Sequence, residues 1–475
     1  MKKKIIPGFI FCFFLSVISF NTSAQEYKYD ISKYYTPDIV RNQLDVSFTT
    51  TNSFNNSRSK IDTISSTFST SMNGSFTPDF QSYTNTRRRL SLLQISGQFN
   101  GSYNSGGIVN ESNPYKNFFS VDNLTVNYSN HFYNSKNQFL ELGISSNFQT
   151  QLNNYSNEGD PTKGILREYY LNITPSIGIG TGRIEAVEDA RQAIYILDDL
   201  SKKGVLTRQL NDDEIFRFAQ QISRVKNKRF LDARLHLMDE ITSVDSFLVN
   251  NNLLNKSDAR YFTSLYDNWQ YGALYSRKSG HSFEITFTPA FNWNFAKSNP
   301  IDTTYIGQLN QNNLKGGLSF VYTYEKPVNL NWQHSVTASL NGNTNFSNYL
   351  NQYGSNYNYY GTTAYLTFNG YDSRSVSLNG NYTLGFYPST RTHLSVGLTQ
   401  NLQFLYNKEL NVSSTSWNKE FISNSTVTVS AYYYISPQLR LSVGANFENL
   451  FTNDYSSNYN QLNGGFNGTL SYSFF

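Results

Sequence analysis

The sequence is poor in three features that common protein classes require. It contains one cysteine, Cys12, among 475 residues, and only 15% of its residues are charged, compared with about 25% in soluble domains. The mean hydropathy is -0.49, and no segment after residue 24 offers the roughly 20 consecutive apolar residues that a membrane-spanning helix needs. The low charge disfavours a cytosolic enzyme, and the missing apolar segments disfavour a helical membrane protein.

The first 24 residues predict a secretory signal peptide. Lys2, Lys3 and Lys4 form a basic start, Ile5 to Phe20 an apolar stretch, and Thr22-Ser23-Ala24 a small-residue cleavage site before Gln25. Cys12 lies in this segment, so the mature chain is expected to lack thiols. Loss of the three lysines lowers the formal charge from +4 to +1, so no nucleic-acid partner is expected.

From about residue 42, the chain repeatedly alternates apolar with small or polar residues. In one such segment Leu394, Val396 and Leu398 alternate with Ser395, Gly397 and Thr399. A period of two predicts β-strands with one apolar and one polar face. The apolar faces often end in aromatic residues, as at the interfacial girdles of membrane barrels, and the segments are longer than the five or six residues typical of soluble strands. A transmembrane antiparallel β-barrel is therefore favoured over a secreted β-sandwich.

The last predicted strand carries a motif on one face. Phe466, Leu470, Tyr472 and Phe474 alternate in register, and Phe475 follows one residue out of phase. This segment resembles the C-terminal signature of Gram-negative outer-membrane β-barrel proteins, and the Tyr/Asn-rich composition is similar to such proteins of Bacteroidetes-type bacteria. The resemblance implies an outer-membrane, porin-like barrel surrounded by outer-membrane lipids. It also implies that the barrel assembly machinery recognises Leu470, Tyr472, Phe474 and Phe475.

The alternating segments number fifteen, whereas bacterial single-chain barrels have even strand numbers, so 14 or 16 strands are expected. The odd number arises between residues 346 and 390, where 360–370 and 375–386 are predicted as separate strands. With this count, the short turn predicted at Tyr387-Pro388-Ser389-Thr390 falls at the end of the barrel opposite to the other short turns. Other short turns are predicted at 133–136, 326–329 and 436–438, and long loops at 151–167, 297–313 and 406–421. The predicted organisation is a periplasmic segment at 25–41 and barrel parts at 42–182 and 273–475.

Residues 183–272 break the alternating pattern. Between 181 and 270 there are 27 charged residues, about 30%, compared with about 12% elsewhere. Apolar residues recur there at helical spacing, which predicts three to five helices. Asn211 and Ser257 are expected at helix N-termini, and Gly204 at a helix C-terminus. An insert after the sixth strand lies in the periplasm if the mature chain starts there.

Motifs for chemistry are few. The stretch Gly178-Ile179-Gly180-Thr181-Gly182 lacks the spacing of a phosphate-binding loop, and lumen-facing glycines explain it better. The histidines His131, His236, His281, His334 and His393 show no metal-ligand spacing. We therefore predict no catalytic, cofactor or metal site and no enzyme, while an outer-membrane hydrolase assembled across strands remains an alternative.

Two further features admit a structural and a functional interpretation. Pro175 and Pro289 interrupt the strands that flank the insert, which predicts bulges or lateral weak points, and an ordinary kink is favoured over a gate. In the insert, a basic group could dock an acidic periplasmic protein, although a solvated helix face is the default for such charges. This group consists of Arg224, Lys226, Lys228 and Arg229.

The sequence thus predicts a barrel of 14–16 strands with a periplasmic helical insert. Such a barrel is too wide to be filled by its own side chains, so we expect a channel for small hydrophilic solutes or an exported polymer, with the helices as plug, gate or partner dock. Charged lumen residues would tune its selectivity, and the candidates are Glu141, Glu284, Arg440 and Glu448. The alternative is a non-conducting structural or receptor barrel, and a homo-oligomer such as a cyclic trimer is compatible with either.

Overall fold

The computed structural model describes most of the chain after the predicted signal peptide. The described residues are 29–60, 64–109, 114–157, 163–228, 233–272, 275–300, 306–354, 365–409, 418–436, 439–454 and 457–472. The signal peptide, Arg229, Phe474 and Phe475 lie outside these residues.

The chain forms one antiparallel sheet of 14 strands in sequence order. The strands are β1 Ile39–Lys60, β2 Ile64–Asn85, β3 Arg89–Val109, β4 Tyr115–Tyr133, β5 Gln138–Asn157, β6 Lys163–Ala186, β7 Lys278–Pro300, β8 Ile306–Pro327, β9 Trp332–Gly354, β10 Tyr365–Ser389, β11 Thr392–Glu409, β12 Asn418–Tyr434, β13 Leu439–Asn453 and β14 Asn458–Tyr472. Every neighbouring pair is a hairpin except β6 and β7, between which the helices are inserted. The predicted fold class, an antiparallel barrel of 14–16 strands with a helical insert, is confirmed.

The strand count corrects one prediction. Residues 365–370 and 375–386 belong to a single strand, β10, in which residues 371–374 pair continuously with both β9 and β11; residues 360–364 of the first predicted strand lie outside the described residues. The apparent break came from Gly370, Asp372 and Ser373, polar residues that the extended hairpin accommodates without a turn. With this merger, the turn at 390–391 lies at the same end of the sheet as the other short turns.

The prediction of long loops at 151–167, 297–313 and 406–421 is wrong. Strands of 15 to 25 residues run into all three segments; residues 151–156, for example, pair with residues 163–168. Their Asn, Ser and Tyr residues lack a continuous apolar face and therefore resemble a loop in sequence, yet backbone pairing between strands does not require such a face.

The sheet is curled into a barrel. Arg183 on β6 donates a hydrogen bond of 2.8 Å to the carbonyl oxygen of Thr86, in the turn after β2. Three strands separate β2 from β6, so these positions would lie about 19 Å apart in a flat sheet. Within the described residues β1 and β14 exchange no backbone hydrogen bonds, so the barrel has a seam between these strands.

The two flagged prolines face each other across β6 and β7. The ladder pairs Ile173 with Phe291 and Ile177 with Phe287 but is interrupted between these positions, where Pro175 and Pro289 lie opposite each other. The register is the same on both sides of the gap, so the predicted bulge is absent from this ladder. The prolines instead create a weak point, because neither can donate a ladder hydrogen bond.

Four helices form the insert: α1 Glu188–Lys202, α2 Asp212–Lys226, α3 Ala233–Asn250 and α4 Ala259–Tyr271. The Asn211 side chain caps α2 as predicted, in a capping box with Glu214. The cap of α4 is Asp258 rather than Ser257, and Gly204 follows α1 with φ +67°. None of the helices in the described residues is both long enough and apolar enough to cross a membrane.

The main buried apolar core lies in the helices rather than in the barrel. Its members include Ile196, Phe218, Leu248 and Leu265, one from each helix. Residues before β1 contribute as well, since Ile31 and Tyr34 are buried in the same core. The segment 29–36 and the four helices therefore form one body, here called the helical unit, at the end of the barrel where the short turns lie.

Candidate functional site at the helical end of the barrel

The segment that leads from α4 into β7 is fixed to the turn between β8 and β9 by Arg277. This residue precedes β7 and has no exposed surface. Its guanidinium donates to four acceptors, namely Gln333 Oε1 at 2.9 Å, Leu330 O at 2.7 Å, Asn329 O at 2.9 Å and Trp332 O at 2.9 Å. Burial, followed by repulsion from Arg191, lowers the pKa of Arg277 to about 10, so it stays charged at neutral pH.

A second arginine holds α1 against β10. Arg191 is buried at 1% exposure, and its guanidinium lies 5.2 Å from the ring centroid of Tyr387 on β10. Arg277 lies 5.0 Å from the same ring. Two buried cations therefore share one aromatic ring, which supplies a cation–π contact to each. Tyr195 adds a 3.5 Å hydrogen bond to the Tyr387 carbonyl oxygen.

The opposite side of the helical unit contacts β1 and the turn between β2 and β3. Arg41 on β1 donates to Asn227 Oδ1, at the end of α2, over 3.1 Å. The Arg87 guanidinium in the turn lies 3.8 Å from the ring centroid of Tyr35 in the segment 29–36, and it forms a 2.8 Å ion pair with Glu185 at the end of β6. Because the helical unit contacts β1 and β2–β3 on one side and β8–β10 on the other, it lies across the mouth of the barrel.

The N-terminal segment is locked onto α2 by a polar network. The Tyr34 hydroxyl lies 3.0 Å from Ser223 Oγ, and Ser223 also donates to Asp189 of α1. Lys226 completes the network with a 2.7 Å ion pair to Asp189. Burial, followed by the charge of Asp189, raises the pKa of Tyr34 above its usual range, so the phenol remains protonated.

Inside the barrel, two of the predicted lumen carboxylates meet. Leu140, Leu142, Phe283 and Phe287 are exposed on the outer face, so Glu141 and Glu284 between them point inward. The Thr286 hydroxyl lies 2.9 Å from Glu141 Oε2 and 2.6 Å from Glu284 Oε1. Glu141 and Glu284 thus reach one hydroxyl although β6 runs between their strands.

His131 completes this group, and we call the three residues the lumenal cluster. Its ring on β4 is stacked on Phe139 at 4.6 Å between centroids. One ligand atom each of His131, Glu141 and Glu284 lies within 4.8 Å of the others. The side chains are partly buried, at the level where the barrel meets the helical unit.

Glycine at position 178 makes the meeting across β6 possible. A Cβ atom there would lie 2.7 Å from both Glu141 Oε2 and Thr286 Oγ1, closer than a van der Waals contact allows. The prediction that Gly178 and Gly180 face the lumen is confirmed, because they pair with Glu141 and Glu284 respectively.

The other two predicted lumen charges lie elsewhere. Arg440 and Glu448 are on β13, which is separated from β7 by five strands in the sheet order. Glu448 accepts a 2.7 Å hydrogen bond from Asn424 Nδ2, and the Arg440 guanidinium lies 5.7 Å from the ring of Tyr432. These two residues therefore do not join the lumenal cluster.

The predicted docking residues in the described part of the chain differ in their surroundings. Lys226 is committed to Asp189 inside the helical unit, and Lys228 pairs with Asp239 at 3.3 Å. Arg224 is exposed. Of the predicted assembly signal, Leu470 and Tyr472 lie on β14 with more than half of their surface exposed.

Sequence reasoning missed His131, Arg277 and the N-terminal contribution to the helical core. His131 could have been found from the turn at residues 134–137, because a tight hairpin there places it opposite Glu141. The inward position of Arg183 was missed for another reason. Strict alternation from Ile177 and Ile179 predicts that Arg183 lies on the outer face of the barrel. However, Gly182 turns the backbone with φ +92°, and Arg183 contacts Asn85 on β2.

Comparisons with known proteins give only distant likenesses. No family model and no curated protein matches. Among solved structures, the translocator domain of the autotransporter NalP from Neisseria meningitidis is similar at 8% identity over 82% of this chain and 90% of that chain, with a TM-score of 0.25. The ferric yersiniabactin uptake receptor FyuA from Yersinia pestis is similar at 6% identity over 89% and 62%, with a TM-score of 0.34. The loop L8 deletion mutant of OmpT, an outer membrane protein of Vibrio cholerae, is similar at 10% identity over 91% and 99%, with a TM-score of 0.20. None of these likenesses indicates what this chain does.

Proposed function

We propose that this protein is an outer-membrane channel for small hydrophilic solutes or an exported polymer, closed at its periplasmic mouth by the helical unit. The proposal is carried by one observation: the helical unit contacts both sides of the barrel mouth, at Arg41 and Arg87 on one side and at Tyr387 on the other. The protein is proposed to act without catalysis.

The outer face of the barrel supports the membrane location. Exposed apolar side chains extend from Leu140 to Phe148 on β5, from Phe283 to Phe291 on β7 and from Leu394 to Phe404 on β11. Each stretch covers about nine to eleven residues, the length that a tilted strand needs to cross a bilayer. All three begin near the strand end that faces the helical unit, so the unit sits next to the proposed membrane level. The remaining polar halves would extend outside the cell.

The inner face supports a hydrated lumen. Its side chains hydrogen-bond to one another across strands, as Asn147 does with Asn123 over 2.7 Å and Asn401 with Asn379 over 2.6 Å. A lumen of this kind favours hydrophilic solutes. The surrounding partners in this proposal are outer-membrane lipids and the barrel assembly machinery, with a periplasmic protein that binds the helical unit.

The test compares conductance with the helical unit locked or loosened. The mature chain has no cysteine if the signal peptide is removed, so Arg41→Cys with Asn227→Cys gives a specific pair for a short thiol cross-linker between β1 and α2. The loosened form carries Arg41→Ala and Arg87→Ala. The matched control pair, Ser395→Cys with Ser430→Cys, cross-links two barrel strands whose hydroxyls lie 2.6 Å apart.

Single-channel recordings in planar bilayers are expected to show larger or more frequent openings in the loosened form than in the wild type. Cross-linking the two introduced thiols on β1 and α2 should abolish openings, and cleavage of the linker should restore them, while the control pair has no effect. Silence in every form, with folding verified by heat-dependent gel mobility, would overturn the channel proposal. The non-conducting structural or receptor barrel would then be favoured.

A further inference from the structure

The lumenal cluster brings two carboxylates together, and no positively charged side chain in the described residues pairs with them. The Thr286 hydroxyl contacts both carboxylates, but a hydroxyl has one proton and can donate to only one of them. At the other contact, two oxygen lone pairs face each other unless a proton or a cation lies nearby. Two adjacent carboxylates also oppose each other's ionisation.

No basic side chain in the described residues forms an ion pair with Glu141 or Glu284. Arg183 lies close, 4.9 Å from the ring of Tyr133, but its N–H groups are used elsewhere. It pairs with Glu185 at 2.9 Å and donates to the Thr86 carbonyl oxygen at 2.8 Å. The negative charge of the lumenal cluster is therefore not balanced by arginine.

We infer that His131, Glu141 and Glu284 form a binding site for a divalent transition-metal cation. For three atoms that are no more than 4.8 Å apart, there is a point that lies within about 2.8 Å of all of them. Metal–ligand bonds to imidazole nitrogen and carboxylate oxygen measure about 2.0 to 2.2 Å, so each side chain needs to move by only about 0.7 Å. One imidazole and two carboxylates leave a coordination position for water or solute.

The ligand set favours zinc or manganese over calcium and magnesium. Imidazole suits transition metals, whereas calcium and magnesium prefer oxygen ligands alone. The partly buried position gives the cation fewer competing waters than the open lumen would.

A cation bound at the lumenal cluster would connect strands that are not neighbours in the sheet. Its ligands come from β4, β5 and β7, so a bound ion would bridge strands on both sides of β6. Thr286 lies three residues from Pro289, where the ladder between β6 and β7 is interrupted. The cation would therefore tie β7 to β5 next to the weakest part of this ladder.

The test measures metal binding to the full-length folded protein, purified without a histidine tag and freed of metal with a chelator. Zn²⁺ is titrated by calorimetry, and Co²⁺ by its visible absorption, which reports coordination by protein ligands. The variants are Glu141→Gln, Glu284→Gln and His131→Asn, and Glu448→Gln is the matched control because it removes a lumenal carboxylate on β13. We expect one equivalent of Zn²⁺ in the wild type, at least tenfold weaker binding in each cluster variant, and unchanged binding in the control.

Two results would overturn the inference. One is the absence of saturable Zn²⁺ or Co²⁺ binding in the wild type, which would mean that the carboxylates share a proton instead. The other is equal weakening by Glu448→Gln, which would mean that the general lumen charge attracts the ion. Because binding is measured without conductance, its failure is separate from failure of the channel proposal. Heat-dependent gel mobility verifies that each variant is folded.

Discussion

At the scale of single residues, glycines decide how the ends of β6 and β7 are shaped. Gly182 and Gly280 have φ of +92° and +121°, values that side-chain-bearing residues rarely adopt. A Cβ atom at Gly182 would lie 2.1 Å from the carbonyl oxygen of His281. The backbone of the partner strand would have to move to accommodate it, and this backbone leads from the barrel into the helical unit.

Gly182→Ala is therefore expected to destabilise the folded barrel by about 1 to 3 kcal/mol, the usual cost of a strained backbone conformation. Gly380→Ala on β10 is the matched control, since no atom lies within 4 Å of the position of its added methyl group. Urea unfolding followed by gel mobility measures both changes. Equal stability of the two variants would show that the left-handed conformation is not required at Gly182.

At the scale of elements, a charged residue, Asp199, joins the helices α1 and α4. Asp199 on α1 pairs with Lys203 at 2.8 Å and accepts a 3.0 Å hydrogen bond from Asn268 of α4, and the Ser264 hydroxyl also donates to it. Burial raises the pKa of Asp199, but the hydrogen bonds from Lys203 and Ser264 outweigh it, so the pKa is lowered overall. The carboxylate form is thus the one that holds α1 to α4.

A group whose pKa is depressed on folding stabilises the protein above its unfolded pKa, and this stability is lost as the pH falls. The helical unit should therefore weaken as the pH drops below about 4, the ordinary range of aspartate. Asp199→Asn should cost about 1 to 2 kcal/mol at neutral pH and flatten this pH dependence. Helical circular dichroism during urea unfolding provides the measurement. The neighbouring exposed Asp198→Asn should change little, and an equal loss in that variant would contradict the assignment.

The accuracy of the sequence predictions also differs from element to element. The strands from residue 121 to 150 were found because an apolar face repeats every two residues, and Asn211 was found because helix caps have a local side-chain signature. The strand segments within 151–167, 297–313 and 406–421 were missed, since they lack a continuous apolar face. Glu141 and Glu284 were identified as lumenal, but their meeting depends on Gly178 between them, and His131 joins them only through the hairpin register. Such contacts are fixed by pairing between strands rather than by local pattern.

At the scale of the whole molecule, the barrel is turned inside out compared with a soluble protein. Its large apolar residues are on the outside, and the main buried apolar core lies in the helical unit. In water this arrangement exposes a broad apolar surface, whereas in a bilayer the same surface is solvated by acyl chains. A substitution that introduces a charge should therefore destabilise the barrel on its outer face and be tolerated on its inner face.

Leu398→Arg places a charge on the outer face of β11, near the middle of the apolar stretch, and is expected to cost about 2 to 4 kcal/mol in a bilayer. Thr399→Arg, one residue along on the inner face, should be tolerated, because the lumen is proposed to be hydrated. Unfolding from lipid vesicles measures both effects. Equal tolerance of the two arginines would contradict the membrane placement of this strand.

The seam between β1 and β14 bears on how the proposed membrane barrel would form. In hydrocarbon each unpaired amide costs several kcal/mol, so two long open edges would not be immersed separately, and insertion would have to coincide with hydrogen bonding of one edge to the other. β1 begins and β14 ends at the helical end of the barrel, so the two edges run antiparallel, as every other ladder does. The segment that precedes β1 is packed into the core of the helical unit through Ile31 and Tyr34, so the start of β1 is held in place. The helical unit, besides covering the mouth, thus offers a fixed end from which the last ladder can close.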